Sequence, residues 1–254
     1  MTWIRSFFIA FAMYSKLPVP QLEWKEKEMR YTIIFFPVIG LVIGAVIIFW
    51  EKICDIRDGN LLLRTVIAVL IPLIVTGGIH LDGFMDTSDA LHSYQPKEKK
   101  LEILKDSHIG AFSVIMLTGF LGFYLAAASE LTGKAVVIWG MSFFLSRTLS
   151  GLSVVSFPNA KKEGTLFTFS SAAHKKTVRI VLIIELICCC TAMILVQAVY
   201  GIASIAAAGL VFTYYYSRSK REFGGITGDV AGWFLCLCEL AMPAVMALLI
   251  LMGR

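Results

Sequence analysis

The chain is poor in charge. Asp, Glu, Lys and Arg supply 16% of its 254 residues, where soluble globular domains carry about 25%. With 57% hydrophobic residues and a mean hydropathy of +0.77, it has too little polar surface for a water-soluble fold and reads as a membrane protein. It lacks a basic stretch with interleaved aromatics, so the net charge of +5 does not point to nucleic acid. Of the six cysteines, all but Cys54 fall in apolar runs (Cys188, Cys189, Cys190, Cys236 and Cys238). They suit small buried positions; no disulfide is inferred, and the Cys-x-Cys at 236 lacks zinc-site spacing. No internal repeat or low-complexity segment interrupts the chain, which is taken as one transmembrane catalytic domain over residues 1–254. No small-residue cleavage site follows the first apolar run, which argues against a secretory leader.

What the chain does have is hydrocarbon. Crossing a bilayer takes about 20 largely apolar residues in a helix, where every backbone polar group is satisfied without water. Seven stretches qualify, approximately 31–50, 61–79, 110–130, 135–157, 178–198, 201–217 and 230–252. The apolar block from 178 to 217 is divided near Gln197 to Gly201 because one helix of that length overshoots a bilayer. The N-terminal WIRSFFIAFAMYSKLPVP is too short to cross and is stopped by Pro18 and Pro20, so it is expected to be re-entrant or interfacial. The fold class is therefore all-α: a polytopic integral membrane helix bundle of about seven transmembrane helices plus an N-terminal re-entrant or interfacial helix. Seventeen Lys and Arg fall in the N-terminal segment and the alternate loops on its side; the other side carries Lys52, Arg57, Lys134 and Arg254, and Arg64 and Arg147 lie within spans. That bias puts the N-terminus and the long polar loops in the cytoplasm.

The second apolar stretch runs into TGGIHLDGFMDTSDALH, residues 76–92, which holds Asp82, Asp86 and Asp89. Spaced i, i+4, i+7, these carboxylates share a stripe about 60° wide on a helix. Like charges so placed repel by a few tenths of a kcal/mol per pair, and by more where water is scarce. A divalent cation reverses the sign of that effect: hard carboxylate oxygens favour Mg²⁺, which commonly binds phosphate oxygens at the same time. The alternative is that the acids solvate a helix end. DGFMDTSD does not match an EF-hand. His80 and His92 are weaker candidates, His80 falling on the face opposite the aspartates.

Three further loops share the cytoplasmic side. KDSHIGAF (105–112) groups Lys105, Asp106 and Ser107 before the third span, and REFGGITGDVAG (221–232) sets Arg221, Thr227 and Asp229 among Gly224, Gly225, Gly228 and Gly232. Glycines let backbone N–H groups approach an anion, so the second loop is a candidate phosphate cradle, although glycine-rich turns also merely connect helices. FPNAKKEGTLF (157–167) offers Lys161 and Lys162, which fit the ordinary positive-inside bias equally well. Arg147 sits mid-span in FFLSRTLSG, where an unpaired charge costs about 2.5 kcal/mol or more. It is a functional candidate by default, with Glu185 and Glu239 as equal candidates for a structural partner.

YSKLPVP, FFPVIGLVIG (35–44), GGIHLDGFMDTSDAL (77–91), KDSHIGAF, NAKKEG and GGITGDVAG, in that order along nearly the whole chain, together resemble the cobalamin synthase family, the adenosylcobinamide-GDP ribazoletransferases. His108 and Lys161 stand where the family usually has arginine, and Ala90 where it has glycine. A histidine is only partly charged near neutral pH, so position 108 is not counted as a phosphate ligand. The resemblance implies an Mg²⁺-dependent transfer of a substituted phosphate group, joining adenosylcobinamide-GDP to α-ribazole or its 5′-phosphate with release of GMP. It implies a bacterial or archaeal cell (inner) membrane protein with its active site facing the cytoplasm. The implied partners are the corrinoid and nucleoside substrates, the lipid bilayer, and a second copy of the chain or other corrinoid-assembly enzymes. On this reading Asp82, Asp86 and Asp89 hold the metal, Asp82, Asp86, Asp229 and Lys105 are catalytic, and His80, Asp106, Ser107, Arg147, Lys161, Thr227 and Gly228 bind substrate.

Two other functions compete. A phospholipid-type alcohol phosphotransferase also spaces aspartates on a membrane helix, but its motif needs an Ala-Arg between the acid pairs and a later DxxxD, and neither occurs. A secondary transporter would line a midplane pathway with charges such as Arg147 and Glu185 and would show paired repeats. Here the polar residues gather at one face, which favours an enzyme.

Overall fold

The computed structural model describes residues 2–57 and 60–253; Arg254, counted above among the basic residues of the second face, lies outside them. A helix α1 (Thr2–Tyr14) and a short α2 (Glu26–Met29) precede a 3-10 turn, Thr32–Phe35, that runs into α3 (Phe36–Ile56). Then come α4 (Leu61–Thr76), α5 (Ile79–His92), α6 (Lys97–Ile103), α7 (Ala111–Ser129), α8 (Lys134–Ser156) and α9 (Thr165–Ala172). The chain closes with α10 (Lys175–Val196), α11 (Ala198–Phe223) and α12 (Gly228–Met252). Six helices, α3 with its leading turn, α7, α8, α10, α11 and α12, are long and apolar enough to cross a membrane, and α4 with α5 supplies a seventh path bent by 94°. No β-strand occurs among the described residues, where the one backbone bridge joins Asn159 to Ile226. The protein is an all-α membrane bundle.

At the centre stands α8, whose Trp139, Phe143 and Arg147 are fully buried. It packs so closely on α3 that a Cβ on Gly40 or Gly44 would run into the backbone of Phe143 or Gly140. Small residues four apart permit such an approach, and in lipid, where hydrophobicity gives helices no reason to associate, close packing is the main source of cohesion. The expected break in the 178–217 block falls at Gln197, whose side chain caps α11 by accepting from the Tyr200 N–H at 2.7 Å.

The second span departs from the straight helix expected over 61–79. At about 1.5 Å per residue α4 is about 24 Å long, short of the roughly 30 Å hydrocarbon core. It ends at Gly77 (φ +66) and Gly78 (φ +81), both left-handed, a conformation open to glycine and costly to other residues. From there α5 sets off in a new direction. The N-terminal segment seals the break: the Lys16 N–H donates to the Val75 carbonyl at 2.8 Å, and its side-chain stem lies across Gly77. The three aspartates are thus on a helix, as their spacing predicts, but it is packed into the bundle and does not trail from a membrane surface. α1 is too short to cross; Arg5 and Ser6 tie it to Glu28, Trp3 stacks on Tyr31 at 4.3 Å, and its last turn faces inward.

Candidate active site

The site begins with a crossing of two helices. α5 packs antiparallel to the first turns of α12: a Cβ on Gly83 would come within 2.8 Å of the Asp229 Cα, one on Gly232 within 2.9 Å of the His80 carbonyl, and the Cys236 thiol donates to that carbonyl at 3.5 Å. Because Gly83 has no side chain, the turn carrying Asp82 and Asp86 lies against the turn carrying Asp229. The negative charges of Asp82, Asp229 and Asp89 all bear on the Asp86 carboxylate. Nothing in the linear sequence places Asp229 beside the stripe; a glycine on each helix does.

Asp89 does a different job. One of its oxygens accepts from the Gly110 N–H at 2.9 Å and the Ser113 hydroxyl at 2.5 Å, and the other from the Ser113 N–H at 2.9 Å. It satisfies the orphan N–H groups at the start of α7 and sits at the positive end of that helix dipole. This supplies a counterweight for the stripe at its third position and sets Asp89 apart from Asp82 and Asp86, to which no such helix start is bonded among the described residues.

α12 begins with Thr227 as its cap, accepting from the Val230 N–H at 3.2 Å and donating to Asp229 at 3.4 Å. The turn before it is stapled to the 157–164 loop: Ala160 N–H donates to the Ile226 carbonyl and Ile226 N–H to the Pro158 carbonyl, both at 2.9 Å. That staple carries Lys161 to within electrostatic reach of Asp229. Burial holds the Lys161 ammonium below its ordinary range, with Asp229 pulling the other way.

Two cavities meet at Asp229. One, of about 170 Å³, is lined by Lys161, Glu163, Thr227 and Gly228. The other, of about 390 Å³, runs between the spans and is lined by Tyr14, Trp24, Phe36, His80 and Asp82. Asp229 and Gly228 line both. His80 is half-buried, with its Nε2 inside, and lines the larger cavity together with Asp82 and Asp229.

Arg147 is placed elsewhere. It lies with Glu239, His80 and Tyr124 around a separate cavity of about 50 Å³, and its Nη1 donates to Glu239 at 2.6 Å and to the Phe143 carbonyl at 3.1 Å. Of the two candidate partners, Glu239 is the one taken. Arg147 lines neither cavity at Asp229.

The 105–108 loop lies on the exposed rim. Lys105 pairs with Glu163 at 2.7 Å, and that hydrogen bond holds Glu163 below the usual carboxylate range. Asp106 accepts from the His108 backbone N–H at 3.0 Å and contacts its ring at 2.6 Å, which lowers Asp106 likewise. Ser107 is exposed and lines neither cavity. Lys105, through Glu163, is thus the one of the three joined to the wall of the smaller cavity.

Among the described residues, no group of three or more His, Cys, Asp or Glu side chains is arranged as a ready-made metal site. Carboxylates of Asp82, Asp86 and Asp229 on two crossing helices nevertheless suit magnesium, which is commonly held by one or two carboxylates, with waters and substrate phosphates filling the remaining positions. The aromatic side of the site was missed by sequence reasoning. Tyr14 comes from the segment expected to be re-entrant or interfacial and Trp24 from the polar run after it, where the one available signal was a lone tryptophan in QLEWKEKEM.

Acidic and basic side chains gather around joined polar and aromatic cavities at one end of a membrane bundle, an arrangement suited to a membrane-embedded transferase. The chain belongs to the cobalamin-5-phosphate synthase family, which it matches over residues 6–247. It is 45% identical over 240 residues to an adenosylcobinamide-GDP ribazoletransferase of Lachnoclostridium phytofermentans, covering 94% of this chain and 92% of the relative. It is 31% identical over 238 residues to one of Clostridium botulinum, with 93% and 94% covered, and 32% identical over 233 residues to one of Clostridium perfringens, with 90% and 91% covered. No solved structure matches the chain.

Proposed function

We propose that this protein is an adenosylcobinamide-GDP ribazoletransferase. A ribose hydroxyl of α-ribazole, or of its 5′-phosphate, forms a bond to the phosphorus linked to cobinamide, and the phosphoanhydride bond to GMP breaks. GMP leaves with the bridging oxygen, and the hydroxyl proton passes to a carboxylate and on to solvent. The observation that carries the reading is Asp229, common to a cavity with a cation and a cavity with aromatics, and flanked by Asp82 and Asp86.

Asp229 orients the attacking hydroxyl and accepts its proton. Asp82 and Asp86 hold Mg²⁺, whose chemistry, when bound, is to neutralise phosphate oxygens and steady the leaving group. Lys161, the Thr227 hydroxyl and the backbone at Gly228, with the positive end of the α12 dipole, bind the diphosphate. Lys105, released from Glu163, adds a rim cation, and Asp106 and Ser107 shape that rim. His80 walls the aromatic cavity. Arg147, neutralised by Glu239, fixes α8 to α12 behind the site and is not assigned to phosphate. The charge bias of the loops turns this face to the cytoplasm of a bacterial or archaeal cell, where a soluble corrinoid nucleotide can reach it.

The test is reconstitution: purified protein in lipid with adenosylcobinamide-GDP, α-ribazole and Mg²⁺ should release GMP and yield a completed corrinoid in equal amounts. Absence of both products from folded protein would refute the reading.

A further inference from the structure

Resting on that reading, we propose that the 390 Å³ cavity seats the acceptor nucleoside. Its aromatic base lies among Tyr14, Trp24 and Phe36 and its ribose reaches Asp82 and Asp229, while the donor's corrin ring stays outside the bundle. Three observations carry the assignment. The first is size: sites for small molecules span about 300–1,000 Å³, and this cavity falls near the lower end. A bicyclic base with its sugar fits there; a corrin macrocycle with its amide arms, several times larger, does not.

The second is chemistry. Tyr14 and Phe36 rings lie 4.3 Å apart, and Phe36 meets the His80 ring at 5.7 Å. Trp24, 46% exposed, stands at the wall and meets the Phe169 ring edge-to-face at 5.6 Å. Such a group offers aromatic faces and edges to a flat base, contacts that add to the area the base buries. Among the described residues no Lys or Arg lines this cavity, whereas Lys161 lines its neighbour. A diphosphate has a counter-charge only in the smaller cavity, and an uncharged base is at home only in the larger one.

The third is connection. The cavities are joined at Asp229 and Gly228, so an acceptor seated in one and a diphosphate held in the other bring hydroxyl and phosphorus together at the same carboxylate. The N-terminal segment, from the last turn of α1 through Trp24, thereby becomes part of the specificity pocket and is not only an interfacial element.

Calorimetric titration of the purified full-length protein in lipid nanodiscs with α-ribazole alone, and separately with adenosylcobinamide-GDP, tests this. Wild type should bind α-ribazole saturably. Trp24→Ala, which removes a wall, and Ala12→Trp, which adds bulk to the lining, should each weaken that binding at least tenfold and leave donor affinity within twofold. Far-UV circular dichroism verifies folding. Absent binding by wild type, unchanged α-ribazole affinity in both folded variants, or a loss falling on the donor instead would overturn the assignment. GMP release is measured on the same samples: no turnover alongside intact, Trp24-dependent α-ribazole binding would refute the transferase reading and leave the seat standing.

Discussion

Asp82, Asp86 and Asp89 look equivalent in the sequence, one turn apart on one stripe, and the structure divides them. Asp89 is occupied by the start of α7 through Gly110 and Ser113, so its replacement should act on stability first. Asp89→Asn loses acceptor capacity and the favourable end-of-helix charge, at about 1–2 kcal/mol, and should lower the thermal midpoint while retaining measurable turnover. Asp82→Asn or Asp86→Asn should instead drop GMP release by at least a hundredfold with the midpoint nearly unchanged. Equal losses of turnover in all three would contradict the division. The stripe was legible because helical spacing is local; the partner of Asp89 was not, because Ser113 lies beyond α6 and a loop. Lys161 supplies a pH prediction. A cation holds its charge below its pKa and loses it as pH rises, and burial moves that loss to below the ordinary lysine value of 10.5. Turnover should therefore fall on the alkaline side at a pH below that value, and Lys161→Arg, whose guanidinium stays charged, should move the fall upward. An unchanged alkaline limb would remove Lys161 from the diphosphate.

At the scale of elements, the site depends on how closely two helices approach. A Cβ at Gly83 meets backbone, which cannot rotate away, so Gly83→Ala should force α5 from α12 at about 1–3 kcal/mol. Displacement of that kind costs geometry more than folding, because a misplacement of about 1 Å can cost about a hundredfold in rate. The expected result is an inserted, folded protein with turnover down about a hundredfold; full activity would mean that the crossing does not set the carboxylate geometry. Most spans could be read from hydrophobic length, which located six of them to within a few residues apart from the C-terminal extension of α11 and the C-terminal end of α3. The broken span could not, because Gly77-Gly78 after an apolar run reads equally well as the first residues of a loop. Only tertiary packing, with Lys16 laid across the break and α12 receiving α5, distinguishes the two.

At the scale of the molecule, one face gathers the carboxylates, the staple that carries Lys161 and both cavities, while the spans beneath supply apolar support around the buried Arg147–Glu239 pair. That single-faced arrangement was legible from the distribution of Lys and Arg; the aromatic cavity was not, since its walls come from α1, the 15–25 segment, α3 with its leading turn, α5, α8, α9 and α12, far apart in the chain. Reporter fusions in the loops near residues 95, 165 and 222 should all read as cytoplasmic, and one reading the other way would separate Lys161 from the aspartates. The central claim is that Asp82, and not Asp89, grips a divalent cation during phosphoryl transfer. Its most direct test is metal-specificity rescue, because a thiolate prefers softer ions to magnesium. With Mg²⁺, Asp82→Cys should be nearly inactive, and replacing Mg²⁺ by Mn²⁺ or Cd²⁺ should restore GMP release at least tenfold, with no such rescue in Asp89→Cys. An Asp82→Cys protein that is folded and equally unresponsive to all three ions, or an Asp89→Cys protein that is rescued in its place, would contradict the account.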